Sequence, residues 1–156
     1  MKRLAMLLLL SMCLCGCRVS VSTGPEKIAV QRGTDEQRAE VLRATQSIVR
    51  EMDKGKFDAV WDGSSQLLKD ATFKVVFTKS LAATRGNLGK AVRGDTRIGF
   101  SRKIDPNAPD GDYAVVEVDS NFGGTIVTEK VILARESRDW KLVGYFMNST
   151  KKFGGG

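Results

Sequence analysis

Three runs of strand-type sequence follow one another with no room for a helix between them: Tyr113 to Phe122, Thr125 to Ala134 and Trp140 to Met147. Gly123-Gly124 separates the first two and Ser137-Arg138-Asp139 the last two, both tight-turn compositions between β-rich runs. Two successive hairpins commit the C-terminal half to a curved antiparallel sheet. Such a sheet has a face to bury, so the sequence upstream must supply a cover.

That cover reads as helix. Thr34-Asp35-Glu36-Gln37 has the composition of a capping box, with two acids in the first turn to favour the helix dipole. Val41, Ala44, Thr45, Ile48, Val49 and Met52 then recur at three and four, and Gly55 ends the run. A second helical piece runs from Phe57 to Lys69 and carries Trp61, with Gly63-Ser64-Ser65 as a break in it. A third opens at Thr72 and sets Phe73, Val76, Phe77, Leu81 and Leu88 on one side, interrupted by Thr84. Gly86, Gly89 and Gly94 release the chain into a first strand from Thr96 to Ile104. The prolines and the Asp-Gly of Asp105 to Asp112 make the next stretch a loop. The reading is one α+β domain over 34–150, three N-terminal helices on a curved four-stranded antiparallel sheet, with a frayed glycine tail over 151–156.

The N-terminus carries an address. Lys2 and Arg3 precede an apolar run that is too short to span a membrane, the layout of an export signal over 1–16. Leu14-Cys15-Gly16-Cys17 resembles the bacterial lipobox, so Cys17 is expected to carry lipid and begin the mature chain, followed by a tether through residue 33. Cys13 and Cys15 fall in the discarded peptide, which leaves no disulfide and requires the core alone to stabilise an exported domain. Arg18 after the cysteine resembles sorting to the periplasmic face of an outer membrane. Without Lys2 and Arg3 the 25 basic residues fall to 23 against 18 acidic ones. Arg85, Arg93 and Arg102 belong to a series whose spacing reads as solvated helix faces and strand edges, and no aromatic-basic motif suggests nucleic acid.

The chain contains no histidine, which removes catalytic triads, imidazole acid-base chemistry and the common zinc arrangements. No cofactor or metal is expected. Asp105, Asn107, Asp110 and Asp112 alternate but lack the distal glutamate of a calcium loop, and turn formation accounts for them. Glu129 is different: it shares a strand face with Val127, Val131 and Leu133, which puts a carboxylate on the core side. Arg102, on the face of Ile98 and Phe100, is the expected counter-charge. The two are read either as a buried ion pair or as the polar base of a binding pocket walled by Trp61, Phe77 and Tyr145. Trp140 and Tyr145, five apart, fall on opposite faces of a regular strand, so one of them is free to meet a partner protein.

Trp61, Pro109-Asp110-Gly111-Asp112-Tyr113, Glu129-Lys130-Val131 and Trp140-Lys141-Leu142-Val143-Gly144-Tyr145 together resemble the bacterial family known as domain of unknown function 4019, a likeness running from about Asp35 to Met147. That resemblance implies the cone-shaped α+β roll of nuclear transport factor two, with a mouth between helices and sheet and an outer sheet face, near Tyr113 or Trp140, through which a homodimer forms. It implies no catalytic positions. The expected function is therefore a non-enzymatic envelope lipoprotein, held to the membrane by its lipid, that binds a partner protein or a cell-envelope component. The alternative is a pocket for a small apolar ligand in the same cone.

Overall fold

The computed structural model describes residues 30–149; the expected export signal, the expected lipidation site Cys17, most of the expected tether and the glycine tail lie outside the described residues. Four helices, α1 (Asp35–Asp53), α2 (Phe57–Asp62), α3 (Gln66–Ala71) and α4 (Lys74–Arg85), precede four strands, β1 (Ala91–Ser101), β2 (Tyr113–Phe122), β3 (Thr125–Glu136) and β4 (Asp139–Ser149). The strands pair in sequence order as one antiparallel meander, so the architecture is α+β with the helices first.

Local chemistry sets the boundaries. Thr34 caps α1 through the expected box: its side chain accepts from the Gln37 amide at 3.2 Å, and the Gln37 side chain accepts from the Thr34 amide at 2.8 Å. The Gly63-Ser64-Ser65 break fully separates α2 from α3, giving four helices where three were expected. Ser65 caps α3 by accepting from the Leu67 amide, and its own amide donates to the Leu142 carbonyl at 2.9 Å, which ties the helix start to β4. Gly123 and Gly124 both adopt positive φ, +59° and +100°, the left-handed backbone that a tight hairpin needs.

The core lies between the helices and one sheet face. Val41, Val49 and Met52 of α1 meet Val116, Val131, Leu133 and Leu142 of the sheet, and all seven are buried. Burial of each large apolar side chain stabilises the fold by ~1.5–3 kcal/mol.

Three expectations about strands and helices are corrected. β1 starts at Ala91 and ends at Ser101 rather than spanning 96–104, because Gly94-Asp95 forms an irregularity inside the strand instead of ending the helical region. The buried stripe of α4 consists of Phe77, Leu81 and Arg85, whereas Phe73 and Val76 are exposed. The tether does not run free to residue 33: Gln31 and Phe100 exchange backbone hydrogen bonds of 2.7 and 2.8 Å, and Gly33, at φ +69°, leaves room for the Phe100 ring.

A further irregularity decides which residues of β4 face inward. Leu133 pairs with Leu142 but Ile132 with Gly144, so Val143 is an extra residue. The bulge restores the phase: Trp140 and Leu142 before it and Tyr145 after it all meet the core, which corrects the expectation that Trp140 and Tyr145 lie on opposite faces. Tyr113 is also buried, its hydroxyl donating to the Pro109 carbonyl at 2.9 Å beneath the β1–β2 loop. Neither Tyr113 nor Trp140 sits on an exposed outer face.

Candidate functional site

Alternation along β3 points Val127, Glu129, Val131 and Leu133 inward, and Glu129 is fully buried. An ionised carboxylate there costs several kcal/mol unless both oxygens are matched. They are matched by four groups, one from each of four other elements. Ser120 of β2 donates to Oε1 at 2.5 Å, and Arg93 of β1 stands 3.4 Å from the same oxygen. Tyr145 of β4 donates to Oε2 at 2.5 Å, and Arg85, the last residue of α4, donates to that oxygen as well as to the tyrosine hydroxyl at 2.7 Å. Arg85 also pairs with Asp53 at the end of α1, and Arg93 holds Asp53 with two bonds of 2.8 and 3.0 Å.

The two guanidinium groups and two carboxylates balance in charge. Arg85 is enclosed, its guanidinium carbon 5.6 Å from the ring centroids of both Phe122 and Tyr145, a cation–π arrangement. At the Asp53–Arg93 end the side chains retain 19% and 27% exposure, and Tyr145 is partly buried. Burial pushes the Tyr145 phenol far above its ordinary range, and the neighbouring Glu129 charge adds to that, against the opposing effect of Arg85. The phenol therefore remains a protonated donor, and the centre works as a charged clasp that fastens the C-terminal ends of α1 and α4 to all four strands.

Of the residues singled out from sequence, Glu129 and Tyr145 meet in this clasp. Trp61 and Phe77 pack against each other instead, with ring centroids 5.5 Å apart at 48°, and neither bonds to the carboxylate. Arg102 is not the counter-charge of Glu129. Beyond the end of β1 it pairs with Asp112 at the surface and lines a cleft of about 120 Å³ beside Gln37 and Arg135. With side-chain exposures of 68% and 58%, that pair is largely screened. Arg102→Ala is accordingly expected to change unfolding free energy by less than ~1 kcal/mol, measured by denaturant titration. Asp110 and Asp105 are likewise engaged locally, Asp110 with Lys103 and Asp105 with the Asn107 amide.

Arg85, Arg93, Asp53 and Ser120 were missed. Arg85 had a usable signal, since it stands four residues after Leu81 and eight after Phe77, on the stripe those residues define. Arg93 had none, because its inward placement depends on the Gly94-Asp95 irregularity.

The fold and its clasp define a small α+β domain in which helices cover one face of an antiparallel meander and one buried charged cluster is set into the apolar layer between them. Residues 44–145 match the family model described as protein of unknown function (DUF4019), and the chain belongs to that family. Comparison with curated proteins and with solved structures gives no match.

Proposed function

We propose that this protein is a non-catalytic lipoprotein of the bacterial envelope, anchored through Cys17 on the periplasmic face of the outer membrane, whose domain binds a partner protein through its surface. The observation that carries this reading is that Glu129 has no exposed surface and both its carboxylate oxygens are taken by side chains of its own chain. A small ligand entering between helices and sheet would have to displace Arg85 and leave a buried charge unmatched, at a cost of ~3–5 kcal/mol.

The surface offers what the interior does not. Phe73, Val75 and Val76 at the start of α4 are 77%, 56% and 51% exposed, an apolar ridge on a helix backed by the Trp61–Phe77 pair. An exposed aromatic of this kind suits the anchor of a protein interface. The absence of histidine from the sequence agrees with a binding role. The cone-shaped roll belongs to the same proposal, supported by helices on one sheet face and by irregularities at Gly94-Asp95 and Val143, where strands can bend.

A photoreactive residue in place of Phe73, in the full-length protein within intact envelopes, tests the reading. One recurrent protein adduct is expected, reduced about tenfold by adding Val76→Asp, on the scale of hot-spot losses. Cys17→Ser is expected to lose the lipid and leave the membrane fraction. Adducts to lipid alone, or an acyl-free wild-type protein, would overturn it.

A further inference from the structure

β1 is an edge strand, and among the described residues its free side is met by a single backbone bridge, that of Gln31 with Phe100. Beside the bridge, on the sheet face away from the helices, lies an open furrow of about 430 Å³, floored by Gly99 and Val115 and walled by Ser101, Lys103 and Ile104. Val30 stands at its rim. One of its methyl groups lies 2.5 Å from where a β-carbon on Gly99 would be, yet Val30 remains 70% exposed, so it covers the edge of the furrow and leaves the rest open. We propose that residues 26–29 of this same chain fill the furrow, extending the Gln31 bridge into a short edge strand that docks the tether on the outer face of the sheet.

The occupant follows from where the described chain begins and which way it runs. Antiparallel pairing of Gln31 with Phe100 carries the residues before Gln31 toward the C-terminal end of β1, which is the direction of the furrow. Side chains alternate along an extended chain. Gln31 and Phe100 line the same cleft on the helix side, so Val30, Ile28 and Glu26 belong to the outer face. Val30 sits over Gly99, two residues short of Ser101, the position that the Gln31–Phe100 register sets opposite it. The same offset brings Ile28 over Ser101 and against Ile104, and Glu26 over Lys103, so an apolar side chain meets the apolar wall and a carboxylate meets its cation. Pro25 has no amide to pair and ends the strand. An edge covered in this way is also closed to pairing by other chains. Docking leaves the eight residues 18–25 as free tether, a reach of at most about 30 Å. With the Cys17 anchor proposed above, the β1 edge is thereby held within that distance of the bilayer; this consequence rests on the anchor, whereas the docking does not.

Thiol alkylation of the full-length chain, read site by site by peptide mass mapping, tests the docking. With Ile28→Cys the introduced thiol is expected to react about tenfold more slowly than with Ser22→Cys, whose position lies in the free tether. Adding Gly99→Val puts a β-branched side chain, well suited to a strand, where Val30 sits, and is expected to bring the thiol at position 28 to the rate seen at position 22. Gly99→Ala reads the same contact if the valine variant fails to fold. Repeating the comparison with Cys17→Ser keeps the docking apart from the anchor, since loss of the lipid is expected to leave the protection unchanged. Equal rates at positions 22 and 28, or protection that survives both Gly99 substitutions, would overturn the proposal. Protection that disappears on dilution would assign the furrow to a second copy, and protection seen only in whole envelopes would assign it to another component; either result would overturn it as well.

Discussion

Glu129→Ala is expected to destabilise the domain by ~3–5 kcal/mol, because it removes one member of a buried charge network and leaves Arg85 enclosed with only part of its compensation. For a domain of this size that loss corresponds to a fall in unfolding midpoint of about 10–20 °C. The deletion also strands two donors, the Ser120 hydroxyl and the Tyr145 phenol, whose partner was the same carboxylate. Glu129→Gln should fall between wild type and alanine, since the amide keeps an acceptor for Tyr145 but no negative charge for Arg85. Glu129→Leu combined with Arg85→Leu should be more stable than either single change, because neither charge is then left alone and the Asp53–Arg93 pair persists at the exposed end. Thermal and denaturant unfolding of the five variants, the two single leucine changes included, measures this. An alanine variant with an unchanged midpoint would mean that Arg85 can leave for solvent without cost, and the space between helices and sheet would again qualify as a ligand pocket.

The sequence exposed this centre in part, and the reason is geometric. Glu129 was legible because a strand has a fixed period of two, so its neighbours Val127 and Val131 fix its direction without any tertiary information. Its partners lie 9, 16 and 44 residues away in sequence for Ser120, Tyr145 and Arg85. Long-range pairing of that kind depends on where helix ends meet the sheet, which periodicity does not encode. Arg102 was the natural choice of counter-charge on the assumption that β1 stays regular to residue 104, but the strand ends at Ser101 and the arginine falls beyond it, at the surface. The α1 helix was legible to the residue, because its cap and its apolar stripe are both local. The start of α4 was misread, since Phe73 and Val76 fit a helical stripe by spacing yet have nothing packed on them, and spacing alone cannot distinguish a core stripe from an exposed ridge.

Deletion of Val143 should have the larger effect, abolishing cooperative folding. The bulge is the single residue that keeps both halves of β4 in phase with β3: Trp140 and Leu142 before it, Tyr145 and Met147 after it. With it removed, the strand must slip by one position, and a slip by one turns every side chain to the other face. If the C-terminal half slips, Tyr145 leaves Glu129 and Arg85, and Gly144 and Phe146 are presented to the core in its place. Should the N-terminal half slip instead, Leu142, only 1% exposed, and Trp140 are turned out and the β3–β4 turn shortens. The second course removes two large buried side chains at ~1.5–3 kcal/mol each, and the first exchanges the partly buried Tyr145 and Met147 for Gly144 and Phe146. The first also leaves buried polar groups unpaired at ~1–3 kcal/mol. The combined loss approaches the ~5–15 kcal/mol that holds a domain of ordinary stability together. Val143→Ala, which keeps the extra residue and trims only its side chain, should retain cooperative unfolding with a midpoint within a few degrees of wild type. Far-ultraviolet circular dichroism through a thermal ramp separates the two variants. A deletion variant that still unfolds in one sharp transition near the wild-type midpoint would show that the phase of β4 is set elsewhere than at the bulge.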